Sequence, residues 1–135
     1  ETNFYHTYGN RHDINDARKG KMDVFGKSMF AVAIENTNHR GYFTEKILDL
    51  FLLRSIPIYW GCSNIGDFFN LDGIIQVNNV DDIVHQSNKL NRAFYMEKKD
   101  AIEDNWKRAL EFVDYEQNIV DEITSIFKHN GILAV

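Results

Sequence analysis

The sequence predicts an α/β domain built on a mostly parallel sheet. Three observations carry this. Met29 to Ile34 is a continuous apolar run, which suits a strand buried on both faces. Ile56-Pro57-Ile58-Tyr59-Trp60 is a second short apolar strand. Between them lies a helical pattern, so that strand, helix and strand fill the ~30 residues of a βαβ unit.

Length and composition fit that class. At 135 residues, 44% apolar and 26% charged, the chain is expected to be one folded domain rather than a disordered segment. We divide it into a lead-in strand and loop over 1–28, a core over 29–90 and a helical tail over 91–135. Fifteen basic against twenty acidic side chains give a net charge of −5, which argues against a general binder of nucleic acid or anionic membrane. No apolar stretch approaches the ~20 residues of a membrane span. Cys62 is the only cysteine, which excludes an intramolecular disulfide and a cysteine-based zinc site. The chain starts with Glu1 rather than Met, so a piece of a longer protein is expected.

The elements follow in order. Phe4 to Tyr8 reads as a short strand closed by the turn pair Gly9-Asn10, and 11–27 as a polar loop. The strand from Met29 ends in the polar segment Glu35 to Gly41. Thr44 is a good N-cap, and Glu45 to Arg54 then reads as a helix apolar on most sides. Gly61 stops the strand that begins at Ile56, and Pro57 is tolerated near that strand's start. Ser63-Asn64 is expected to cap a short helix through Phe69, and Gly73 to Val77 is a further strand. Val80 to Leu90 reads as a helix with Ile83, Val84 and Leu90 inward. Two more helices are expected, Lys98 to Tyr115 and Glu116 to His129, with Gly131 as the stop.

Ligands of open α/β sheets bind beyond the carboxyl ends of the strands. Three polar clusters are expected at that edge: Glu35-Asn36, Gly61 to Asn64, and Asn78-Asn79. Any α/β domain has polar loops there, so geometry alone leaves their role open. Lys46 is more pointed. A cation in the first turn of a helix is disfavoured by ~0.3–1 kcal/mol. It is either a solvated lysine that tolerates the cost, or one half of an anion site whose other half is the helix N-terminus. Tyr42 and Tyr59 carry hydroxyls able to reach a sugar, whereas Phe43, Phe68 and Phe69 read as core. No phosphate-binding Gly-x-x-x-x-Gly-Lys-Ser/Thr and no Gly-x-Gly-x-x-Gly is present. The five histidines do not pair at metal-binding spacing, no Asp-x-Asp occurs, and Asp81-Asp82 reads as helix capping.

Taken together, Phe30-Ala31-Val32-Ala33-Ile34-Glu35-Asn36-Thr37, Gly41-Tyr42-Phe43-Thr44-Glu45-Lys46 and Ile56-Pro57-Ile58-Tyr59-Trp60-Gly61 resemble the α1,3/4-fucosyltransferases, glycosyltransferase family 10. The resemblance is strongest over 29–69. It implies the donor-binding C-terminal half of a two-domain GT-B enzyme with a Rossmann-like sheet. It implies inverting transfer of fucose from GDP-fucose to a glycan acceptor, with no metal and no cofactor. Donor contacts are implied at Asn36, Tyr42, Glu45 and Lys46, with Lys46 on the diphosphate. Glu35, Thr37, Thr44, Tyr59 and Gly61 are implied as further positions of that cleft. No catalytic residue is expected in this chain, because the base belongs to an N-terminal acceptor domain. An upstream phosphate-binding arginine of the family has no counterpart here, and neither Arg11 nor Arg40 aligns with it. A bacterial or viral host would imply a cytoplasmic or membrane-peripheral location, and a eukaryotic host the Golgi membrane. Two other readings stay open: another nucleotide-sugar transferase of GT-B type, and a non-catalytic nucleotide-binding module.

Overall fold

The computed structural model describes residues 28–129, and the backbone alone for 114–120. The expected strand Phe4–Tyr8, the loop 11–27 and Gly131 lie outside the described residues. Strand β1 (Phe30–Ile34) leads into helix α1 (Glu45–Leu52) and strand β2 (Ile56–Trp60). Two single 3-10 turns, Ile65–Asp67 and Leu71–Gly73, precede strand β3 (Ile75–Gln76). Helices α2 (Val80–Ser87), α3 (Arg92–Glu97) and α4 (Lys99–His129) follow. The sheet is parallel, in the order β1-β2-β3, with Phe30 opposite Ile56, Ile34 opposite Trp60 and Ile58 opposite Ile75. The expected βαβ unit is therefore β1-α1-β2.

The core lies on the face covered by α1 and α4. Ala31 and Ala33 are small and buried, so α1 seats closely on the sheet through Ile47, Leu48, Leu50 and Phe51. Phe43, Phe51, Phe68, Phe69 and Phe112 close an aromatic cluster between α1, α4 and the loops, with Phe51–Phe69 centroids 4.7 Å apart and Phe43–Phe112 5.2 Å. The three phenylalanines read as core are core. Asn105 fastens α4 to the chain before β3: its amide oxygen accepts from the Asn70 N–H at 2.7 Å and its amide nitrogen donates to the Asn70 carbonyl at 2.9 Å. Both bonds are sheltered, since Asn105 is buried.

Several expectations need correction. β1 is not buried on both faces: Val32 and Ile34 are 46% and 47% exposed, because α1 covers only the Ala31–Ala33 side. Helix α1 stops at Leu52, and Arg54 turns the chain at φ 56° into β2. Its guanidinium is held by Glu103 and lies 4.2 Å over the Trp106 ring. The third strand shrinks to two residues, because Asn70 caps a 3-10 turn at Leu71–Gly73. α2 ends at Ser87, and Val84 points outward at 57% exposure. Asn64 does not cap the Ile65–Asp67 turn with its side chain. The two C-terminal helices are one 31-residue helix, as no Gly or Pro interrupts the sequence between them. Its first half belongs to the core through Ala101, Ile102 and Ala109. Among the described residues no helix is long and apolar enough to cross a membrane.

Candidate functional site

The site grows from the end of β1. Side chains alternate along a strand, so Glu35 falls on the same face as Ala31 and Ala33, beneath α1. It is 2% exposed, and its N–H extends the ladder to the Trp60 carbonyl at 2.9 Å. Its two carboxylate oxygens both accept from Thr44, one from the backbone N–H at 2.9 Å and one from the hydroxyl at 2.7 Å. Thr44 is the N-cap of α1, as expected, and its hydroxyl oxygen also accepts the Lys46 N–H at 3.3 Å. The next residue, Asn36, is exposed at the sheet edge. There its amide oxygen accepts from the Lys46 ammonium at 3.0 Å. Lys46 thus bends back from the helix start to the end of β1, instead of extending into water.

The floor beneath is tightly built. A Cβ on Gly61 would lie 2.5 Å from Glu35 Cγ and 2.5 Å from the Tyr59 hydroxyl, so only glycine fits. The Tyr59 hydroxyl accepts the Cys62 N–H at 3.0 Å. Burial, first of all, holds its pKa above the ordinary phenol value; the nearby Glu35 carboxylate also raises it, and the Cys62 N–H opposes both. Tyr59 was expected to offer a hydroxyl to a sugar; at 1% exposure it is a floor residue instead. The reason is register: Tyr59 pairs with Ala33 and faces α1.

Tyr42, Glu45 and Asn36 are exposed and Thr37 is half-buried. Tyr42 follows Gly41, which sits at φ +71° and leaves room around its Cα. The Gly41 N–H donates to the Asn64 amide oxygen at 2.7 Å, and the Asn64 amide nitrogen donates to Asp67 at 2.6 Å. Asn64, read from sequence as a cap and as part of the polar cluster after the second strand, therefore ties the Tyr42 loop to the loop after β2. Arg40 reaches Asp67 at 3.9 Å and is largely exposed, a weak pair.

On the other side of the sheet edge is a cleft of about 250 Å³ lined by Ile34, Trp60, Val77, Asn78, Asn79, Val80 and Ile83. Asn78 and Asn79 were expected at this edge; the apolar walls were not. Their signal was the even-numbered alternation of β1, which turns Ile34 away from α1. Asn79 caps α2 by accepting the Asp82 N–H at 2.9 Å, and the Asp82 carboxylate accepts the Asn78 N–H at 2.9 Å, the capping role expected of that acidic pair. Among the described residues no three His, Cys, Asp or Glu side chains stand together as a metal site. What the edge offers is a cation and a helix N-terminus, which together suit an anion.

The family model described as glycosyltransferase family 10 (fucosyltransferase) C-term matches residues 4–124. The chain belongs to glycosyltransferase family 10. It is 37% identical over 60 residues to the Helicobacter pylori alpha-(1,3)-fucosyltransferase FucT, which covers 44% of this chain and 13% of that protein. It is 30% identical over 108 residues to the Mus musculus 4-galactosyl-N-acetylglucosaminide 3-alpha-L-fucosyltransferase 9, covering 70% of this chain and 30% of that one. Among solved structures, an α1,3-fucosyltransferase crystallised with GDP superposes with a TM-score of 0.52 at 25% identity, over 70% of this chain and 33% of that one. The chain thus spans a third or less of each of these family 10 relatives. The resemblance read from the motifs and the α/β GT-B fold class are both met.

Proposed function

We propose that this chain, taken as one unit over residues 1–135, is the donor-binding part of an inverting fucosyltransferase that uses GDP-fucose. The observation that supports this best is Lys46. Its ammonium is folded back beside the N-terminus of α1, so a full positive charge and helix-end N–H groups share one place. A helix start repels a cation unless an anion lies between them. Glu35 supplies one such anion from inside, through Thr44, and the donor diphosphate supplies a second from the exposed side, where the Lys46 ammonium stands.

Cleaving the bond from fucose C1 to the β-phosphate oxygen leaves a developing oxocarbenium ion and puts the electron pair on the departing diphosphate. Groups already in place where that charge grows stabilise the transition state most. The Lys46 ammonium and the positive end of α1 fill that role without a metal or cofactor, although the Lys46 N–H itself is already taken by the Thr44 hydroxyl. The exposed Glu45, next to Lys46, and Tyr42, just before the cap, are assigned to sugar or ribose hydroxyls, with Thr37 lining the same edge. Asn36 holds the lysine and is exposed to the donor at the end of β1. The apolar cleft beside Ile34 and Trp60 is smaller than the ~300–1,000 Å³ of pockets for whole drug-sized ligands. It suits a single ring system such as the donor's base. The acceptor glycan and the base that deprotonates its hydroxyl are assigned to an N-terminal acceptor domain, outside this chain.

Titration calorimetry with GDP, UDP and guanosine in EDTA tests the reading. GDP should bind best and guanosine worst, with no dependence on added Mn²⁺. Preference for UDP would favour another nucleotide-sugar transferase. Binding that collapses on chelation and returns with Mn²⁺ would overturn the metal-free site.

A further inference from the structure

Among the described residues Glu35 is the one charged side chain of this edge that is fully inside, and the proposed donor contacts do not use it. Its two oxygens take the N–H and the O–H of a single residue, Thr44. Among the described residues it forms no ion pair. A buried carboxylate without a cation is costly. Here two charge-assisted hydrogen bonds and the positive end of α1 offset that cost. Starting a helix does not require this arrangement, because a threonine N-cap suffices alone.

The polarity of the bonds explains the choice of a carboxylate. The Lys46 N–H donates to the Thr44 hydroxyl oxygen, and that hydroxyl donates onward to Glu35. Only a group that accepts at both ends can take the Thr44 N–H and O–H at once. A glutamine of the same shape would present an NH₂ to the hydroxyl, turn its proton away and break the direction of the chain. Gly61 seals the other side of the carboxylate, where a methyl group would collide with Glu35 Cγ. The neighbouring residue, Asn36, meanwhile holds the lysine's ammonium. Two adjacent residues at the end of β1 therefore grip both ends of Lys46: Glu35 its backbone through Thr44, and Asn36 its charge.

We propose that Glu35 is a positioning residue, which sets the start of α1 and Lys46 for the donor diphosphate without touching the donor. This rests on the donor-binding reading above, and the test separates the two. In the free 135-residue chain, amide exchange at Thr44 and Lys46 should be slow. Glu35→Gln should accelerate it there while leaving Ile102 and Ala109 of α4 unchanged. By calorimetry Glu35→Gln should weaken GDP about tenfold, the loss of one hydrogen bond to a charged group, and leave guanosine within about twofold. Thr44→Ser keeps both bonds and should retain wild-type GDP affinity. Thr44→Val should resemble Glu35→Gln, and the double variant should lose no more than either alone, since the two residues act as one unit. Thr44→Val also removes the N-cap. The double variant, rather than Thr44→Val alone, therefore assigns the loss to the pair. Retained GDP affinity in folded Thr44→Val overturns the proposal even if Glu35→Gln fails to fold. GDP affinity within about twofold of wild type in folded Glu35→Gln or Thr44→Val would overturn the proposal, and so would an equal loss for guanosine. A wild-type chain that binds no GDP overturns the donor reading and, with it, the clamp's role. The exchange rates then still show whether the clamp exists, and unchanged rates in Glu35→Gln would remove it.

Discussion

The two faces of the three-stranded sheet are built from alternate residues of the same strands and meet different fates. On the α1 face, Ala31, Ala33, Glu35 and Tyr59 are buried, and each polar group among them is matched. Among the described residues no buried side-chain nitrogen or oxygen lacks a partner. On the opposite face, Val32 and Ile34 remain exposed, and Ile34 lines the apolar cleft together with Trp60, Val77 and Val80. The first face fixes where Thr44 and Lys46 stand. The second leaves surface free. The strand ends thus carry hydrogen-bonded polar groups on one side and apolar walls on the other, a division that fits the charged and planar parts of the proposed donor.

Phe69 offers the largest test of this contrast. It is 1% exposed and touches Phe43, Phe51 and Phe112. Phe69→Ala should cost ~3–5 kcal/mol of stability, the range for truncating a buried aromatic, read by urea denaturation. A loss below ~1 kcal/mol would show that the closed face is loosely packed. Next comes Lys46→Ala, which should weaken GDP binding by ~1.5–3 kcal/mol. Its melting temperature should stay level or rise slightly, because a cation leaves the helix start. Unchanged GDP affinity in that folded variant would return Lys46 to the role of a solvated side chain. Gly61→Ala should destabilise by ~1–3 kcal/mol through overpacking, since the new methyl meets Glu35 and Tyr59. GDP binding should weaken in parallel as the floor shifts.

How far the sequence foretold this contrast depends on which contacts set each feature. The β2 strand, the Thr44 cap and the three motifs were legible because they are local: an apolar run, a capping residue and a glycine stop. Lys46 stood out because it conflicted with its own helix. The inward turn of Tyr59 and Glu35 was not read, although Ala31 and Ala33 carried the signal. Small residues alternating with large ones mark the side a helix presses on, and Glu35 continues that parity. The tie from Asn64 to Gly41 spans 23 positions and leaves no local pattern. The fusion of the last helices was missed because apolar spacing marks faces, while only Gly, Pro or caps mark ends.

Tyr59 supplies a smaller effect that belongs to the closed face alone. Burial raises its pKa above the ordinary ~10. Above pH ~10 the unfolded chain then holds fewer protons here than the folded one. The sign follows: this contribution is complete below the ordinary phenol pKa and is lost as pH rises beyond it. Stability should therefore fall by up to ~1.4 kcal/mol per pH unit in that alkaline range from this group. Tyr59→Phe should lack that component while losing the hydrogen bond from Cys62. Parallel slopes for the two proteins between pH 9 and 11, read by urea denaturation, would show that Tyr59 reaches water.

The open face should give the smallest response, and that is what sharpens the comparison. Val32 sits between Ala31 and Ala33, one residue away from the core in sequence and on the other side of the sheet in space. Replacing it by threonine keeps the branched shape and the strand preference, and exchanges one methyl group for a hydroxyl. In a buried site that hydroxyl would need a partner, and its absence would cost ~1–3 kcal/mol. At 46% exposure water supplies the partner, so Val32→Thr should change stability by less than ~0.5 kcal/mol. The matching substitution on the closed face, Ala33→Ser, places a hydroxyl at a 4% exposed position beneath α1 and should cost clearly more. Measured together by urea denaturation, the pair separates the faces with little change in size at either position. A Val32→Thr loss as large as that of Ala33→Ser would mean that this side of β1 is also covered in solution, and the open cleft beside Ile34 would then have to be narrower than it stands here.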